Sequence, residues 1–193
     1  KFATPNRIYK FDHPCDAIFW IMKDGTLPPV LKVKSPELAS VMGATLATKR
    51  TSAEYVPGED PNKLVIVPYA NPFRLYPLAK DYNKFKQLFA ERGVTCYIIN
   101  TGHFLDKKVT PTVTLGLIED IINDKAEFKP FGPFSDLEYM PIEGFIPDFT
   151  DEEYLRSVKA RMNDRLEYIS KLDEFNQIPS EGLAAIRRVV EEI

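Results

Sequence analysis

Val94-Thr-Cys-Tyr-Ile-Ile-Asn-Thr-Gly102 is the stretch that decides the fold of this chain. Its first part, Val94 to Ile99, is an apolar run of the kind expected of a buried strand, and the small polar Asn100-Thr101-Gly102 ends it. Lys107-Lys108 follow, and Thr114 stands near the start of a helical pattern. Strand, polar turn, paired cations and helix start, in that order, make an α/β unit. Such a unit builds an anion or nucleotide site from backbone amides and ammonium groups.

The same alternation runs outward in both directions. Asp16 to Met22 (DAIFWIM) is a second nearly continuous apolar run, as in a strand buried on both faces. Asp24-Gly25 turns the chain and Pro28-Pro29 keeps the next stretch extended. Ser35 is placed to cap a helix that begins with Pro36 and carries Leu38, Val41, Met42 and Thr45 at helical spacing. Residues 49 to 62 are polar, hold Pro57, Gly58 and Pro61, and read as a mobile surface loop or lid. Leu64 to Val67 reads as a strand. A helix is expected from about Ala79 to Arg92, with Gly93 as its terminator.

Pro111 opens another helix through Leu115, Ile118, Ile121 and Ile122. Residues 126 to 148, rich in proline, read as a long surface segment. Thr150-Asp-Glu-Glu153 matches a capping box for a helix reaching about Phe175, with Tyr154, Val158, Met162, Leu166 and Ile169 inward. A last amphipathic helix runs from Pro179. Strands alternating with helices give one α/β domain over residues 1 to 193, with residues 150 to 193 as a helical C-terminal appendage.

With 193 residues, 44% of them apolar and 27% charged, the chain can fill a full core, and a net charge of −3 recruits neither nucleic acid nor an anionic membrane. No apolar segment approaches the ~20 residues that span a bilayer. Cys15 and Cys96 are the only cysteines, too few for a disulfide framework, so a reducing cytoplasm is expected. The start at Lys1 without a methionine suggests a fragment of a longer protein.

His13 and His103 are the only histidines, and neither has a partner at metal-ligand spacing. No Gly-x-Ser-x-Gly elbow and no Gly-x-x-x-x-Gly-Lys-Ser/Thr loop occurs, which argues against a self-contained hydrolase or a triphosphate cradle. What the sequence offers is secondary nucleotide contacts. Lys108 can place a charge beside phosphates, and Asn100 has both a donor and an acceptor. The Thr114 hydroxyl suits a base or ribose, although an ordinary early-helix threonine fits the pattern equally well. Phe73, in Asn71-Pro-Phe-Arg-Leu-Tyr76, reads as a core aromatic, and Lys49, Arg50 and Glu54 read as a solvated charged loop.

Four blocks change that weighting. Ile18-Phe-Trp-Ile-Met-Lys-Asp-Gly-Thr-Leu-Pro-Pro-Val30 resembles the strand and Gly-x-Leu-Pro-Pro-Val turn of the phosphoenolpyruvate carboxykinases. Gly43-Ala44-Thr45 followed by Lys49-Arg-Thr-Ser-Ala-Glu54 resembles that family's lid. Ala70-Asn-Pro-Phe73 is similar to its Pro-Phe loop, and Tyr97-Ile-Ile-Asn-Thr-Gly102 to its Leu-Val-Asn-Thr-Gly block. Lys107-Lys-Val109 through Thr114 parallels its Gly-Lys-Arg-Ile stretch and base-site threonine. In that order the blocks span most of residues 5 to 190. The departures are His103-Phe-Leu-Asp106 in place of a Trp and a glycine-rich stretch, and Lys108 in place of an arginine.

The resemblance implies the C-terminal part of a carboxykinase-type mononucleotide-binding domain, a mixed sheet with flanking helices, nearer the ATP-dependent branch. Oxaloacetate and ATP, with GTP as the alternative, would give phosphoenolpyruvate, carbon dioxide and the diphosphate. Magnesium and manganese would be held mainly by residues outside this chain, with the P-loop, in the N-terminal remainder of the same protein. Arg7 would act on the transferring phosphoryl group. Lys108, Val109, Thr114, Asn100 and Lys49 would seat the nucleotide. Arg50, Thr51, Ser52 and Glu54 would form the lid, and no metal ligand would come from this chain. The alternative implied is a relative without turnover that works as a nucleotide-binding or scaffolding module.

Overall fold

The structure, a computed structural model, describes residues 13, 15–49, 57, 58, 60 and 63–193. Two parallel strands form its spine, β1 (Ala17–Met22) and β5 (Thr95–Asn100), paired from Ala17 opposite Thr95 to Met22 opposite Asn100. Three antiparallel strands extend the sheet beyond β5: β2 (Val30–Val33), β9 (Phe134–Tyr139) and β8 (Lys129–Phe131), in the order β1-β5-β2-β9-β8. The result is an α/β fold on a mixed sheet.

Alternation sends side chains of the central strands to two faces. Ile18, Trp20, Met22, Leu31, Val33, Cys96 and Ile98 face the larger cluster, against α1 (Pro36–Ala44), α2 (Leu78–Glu91), α4 (Glu152–Ser170) and α5 (Ser180–Glu191). Phe19, Val30, Tyr97 and Ile99 face a smaller cluster closed by Leu117 of α3 (Pro111–Ile122). β5 lies inside the sheet and buries Cys96, Ile98 and Ile99, whereas β1 lies at its edge, buries only Trp20 and Met22 and leaves Ile21 58% exposed, so the expectation of a strand buried on both faces fails for β1.

Most helix boundaries follow their local chemistry. Ser35 accepts from the Leu38 amide ahead of Pro36, and Thr110 does the same for Val113 ahead of Pro111. Gly93, at φ +67°, ends α2. α1 is buried on nearly every side, and its Gly43 lets Trp20 and Tyr69 pack directly on its backbone.

Four further expectations need correction. Residues 126 to 148 are not a surface wander, since they supply β8 and β9 and bury Phe131, Phe134, Leu137, Tyr139 and Phe145. Pro130 is tolerated because β8 is the edge strand, where a missing N–H breaks no central ladder. Asp151, not Thr150, caps α4, because Thr150 turns its own amide and hydroxyl to Asp148 Oδ1 at 2.9 and 2.7 Å. α4 stops at Ser170, and a separate 3₁₀ turn, Glu174–Asn176, follows it. Phe73 is 86% exposed, because Asn71 and Arg74 fix its loop through hydrogen bonds that turn the ring outward.

Candidate functional site

The site forms where the parallel pair ends. Carboxyl ends of parallel strands are where α/β sheets leave a crevice, and the chain crosses that edge twice, at Lys23-Asp24 and at Asn100-Thr101-Gly102. Asn100 is fully buried and locks the crossing together. Its Nδ2 lies 2.7, 2.6 and 2.8 Å from the carbonyls of Asp24, Leu27 and His103, while its Oδ1 accepts from the Gly102 amide at 2.9 Å. The side chain therefore has no donor or acceptor left over for a ligand. These bonds make Asn100 the residue that shapes the turn.

Beyond the turn a short hairpin, β6 (His103–Phe104) with β7 (Lys107–Lys108), reverses the chain, and the Val109 amide bonds back to the Gly102 carbonyl at 3.0 Å. α3 starts immediately after. Thr101, Lys108, Val109, Pro111, Thr114 and Leu115 enclose a largely apolar cavity of about 340 Å³ beside the first turn of that helix. Lys108, Val109 and Thr114 thus meet in one place. The Thr114 hydroxyl bonds the Thr110 carbonyl at 3.3 Å and keeps its lone pairs for a donor. Lys107 is turned away and lies over the Phe145 ring at 4.5 Å from its centroid.

Lys49 is elsewhere. It closes β3 (Ala47–Lys49), which pairs with β4 (Leu64–Ile66), and it lines a second cavity of about 250 Å³ with Ile21, Leu46, Thr48, Val67, Ala70 and Pro72. Arg7, Arg50, Thr51, Ser52 and Glu54 lie outside the described residues. Tyr69 and Ala70, at the edge of this second cavity, both hold a left-handed backbone, φ 52° and 54°. Non-glycine residues in that region are costly, and the Tyr69 hydroxyl bond to the Ser40 carbonyl (3.1 Å) keeps the ring in place.

Sequence reasoning missed the charges behind the two cavities. Lys23 donates to the Thr101 carbonyl at 3.2 Å. Asp24, at the end of β1, is buried and meets Arg165 of α4 at 2.6 Å, with Arg161 at 3.8 Å and the Thr26 amide and hydroxyl at 3.0 and 2.8 Å. Burial pushes the Asp24 carboxyl up, but the Arg165 and Arg161 guanidiniums and the Thr26 donors outweigh it and hold it below the ordinary carboxylate range. A signal was present, since Arg165 occupies the apolar stripe Tyr154, Val158, Met162, Ile169, where a lone arginine needs a buried partner.

Among the described residues no group of three or more His, Cys, Asp or Glu is placed to hold a metal ion. No helix among them is long and apolar enough to cross a membrane. The chain matches no family model. It is similar to the protein named phosphoenolpyruvate carboxykinase (ATP) of Aeropyrum pernix, 24% identical over 163 residues, which cover 81% of this chain and 32% of that protein. The chain therefore spans about a third of the length of the curated relative it matches.

Proposed function

We propose that this chain is the C-terminal nucleotide-binding portion of a phosphoenolpyruvate carboxykinase-like enzyme that uses ATP. The observation that carries the reading is the meeting of Lys108, Val109 and Thr114 in one cavity at the carboxyl edge of the parallel pair. The similarity to an enzyme named for that activity supports it. Residues 1 to 193 then form one α/β unit of a larger protein, with residues 49 to 62 as its lid and residues 150 to 193 as a helical C-terminal part that shares its core. The carboxykinase-type mononucleotide-binding fold belongs to the same proposal.

In this reading Leu115 and Val109 take the base against apolar surface, Thr114 bonds its edge or the ribose, and Lys108 faces a phosphate. Oxaloacetate loses carbon dioxide to leave an enolate, whose oxygen takes the phosphoryl group in line. Arg7 stabilises the charge in transfer, and Lys49 with Arg50, Thr51, Ser52 and Glu54 closes over the nucleotide. Magnesium and manganese, in this reading, are held mainly by residues outside this chain. GTP is the competing nucleotide, the N-terminal remainder is the expected partner, and the cytoplasm is the expected compartment.

A nucleotide-binding module without turnover is the second reading. Among the described residues Lys108 is the one charged residue in the cavity lining, enough to hold a nucleotide but short of a triphosphate clamp. The test is calorimetry with MgATP and MgGTP, followed by manganese-dependent formation of phosphoenolpyruvate from oxaloacetate by the whole polypeptide. MgATP is expected to bind, and K108A is expected to weaken it about 10- to 100-fold, the worth of one charge-assisted hydrogen bond. Binding without turnover selects the module. Binding indifferent to K108A and T114V removes both readings.

A further inference from the structure

Arg165 grips two segments of chain that lead to different cavities. Its Nη1 donates to the carbonyl and the hydroxyl of Thr45 at 2.7 and 2.9 Å, and its Nη2 donates to Asp24 Oδ2 at 2.6 Å. The side chain is 2% exposed, and the Asp24 side chain is wholly buried. From Asp24 the contacts continue into the first cavity. Its carbonyl accepts from Asn100 Nδ2, Asn100 Oδ1 accepts from Gly102, and the Gly102 carbonyl accepts from Val109, which lines the cavity with Lys108 and Thr114.

From Thr45, the C-cap of α1, the chain passes directly through Leu46 into β3, and Leu46 with Thr48 and Lys49 of β3 lines the second cavity. The Lys23 amide also bonds the Ala47 carbonyl at 2.8 Å, so β3 is fastened to the same strand end. No other side chain among these contacts reaches both sides. A guanidinium can, because its two Nη groups are held apart in a fixed plane, whereas a lysine ammonium is a single point.

We infer that Arg165 is a positioning residue that couples the two cavities, so that a nucleotide seated between Lys108 and Thr114 stiffens β3 and the approach to Lys49. The inference rests on the nucleotide reading given above. Taking a guanidinium and a carboxylate out of water is repaid only while both of its anchor points stay in register. Movement at the Asn100 turn therefore reaches Thr45 through one rigid group, and ordering of that turn by a ligand reaches β3 by the same route.

Hydrogen exchange on the full chain, with and without MgATP, tests this. In the wild type MgATP is expected to slow exchange about fivefold both at residues 108–114 and at residues 46–49. In R165K, checked for a cooperative thermal transition, protection at 108–114 is expected to remain while that at 46–49 disappears. T45V keeps the ion pair, removes one Nη1 acceptor and is expected to lose part of the remote protection. Wild-type protection at 108–114 without protection at 46–49 overturns the coupling and leaves the nucleotide reading standing. So does remote protection unchanged in both variants. Absence of protection at 108–114 in the wild type removes the nucleotide reading and the coupling with it.

Discussion

Asp24 shows how a single residue can be misread from its neighbours. In the sequence it stands in an Asp-Gly pair, the usual chemistry of an exposed turn, yet its side chain is fully buried against Arg165. Its folded carboxyl titrates below the unfolded value of about 3.9, so in the window between the two the unfolded chain binds the extra proton. Stability from Asp24 is therefore complete above that window and is lost as the pH falls through it. Urea unfolding from pH ~5 down to ~3 should show a falling midpoint in the wild type. D24N should start about 3 kcal/mol less stable, because Arg165 is left buried without its counter-ion, and should show a shallower fall. Equal slopes in the two proteins would disprove this assignment.

Among the elements, α1 buries every residue from Leu38 to Ala44. A Cβ at Gly43 would lie 2.7 Å from Tyr69 Cε1 and 2.8 Å from the Trp20 ring. Neither ring can yield, since Trp20 Nε1 bonds the Ala39 carbonyl at 2.9 Å and Tyr69 bonds that of Ser40. G43A should cost about 1–3 kcal/mol by overpacking, read as a lower denaturation midpoint with altered near-ultraviolet dichroism from Trp20. A neutral substitution would show that the helix can slide.

The elements also show what the sequence made legible. β1, β5, α1 and α3 could be read because apolar runs, Ser-Pro and Thr-Pro starts and Gly93 each act through near neighbours. β9 could not, because Phe134, Leu137 and Tyr139 break strict alternation and what holds them is pairing with β2, some hundred residues earlier. The cavity around Lys108 and Thr114 was accessible for the same local reason, being built within residues 101–115. The Asp24–Arg165 pair spans 141 positions, and only the misplaced arginine on an apolar stripe hinted at it.

At the scale of the whole molecule, residues 150 to 193 share the core of the sheet. Tyr154, Val158, Met162, Ile169, Ala185, Ile186 and Val189 all belong to the cluster that contains Trp20, Leu31 and Ile98. A chain ending before Thr150 should lose its cooperative thermal transition and bind hydrophobic dyes, whereas a sharp transition in that truncation would make the last two helices dispensable. The parallel pairing of β1 with β5 has a further consequence, one of timing. At about 5–20 residues per second a ribosome needs roughly 4–15 s to pass from Met22 to Thr95, and until then Ala-Ile-Phe-Trp-Ile-Met has no strand to join. During its synthesis this polypeptide carries a bare, uncharged strand, and chaperones that hold such segments are the cellular machinery on which its yield should depend.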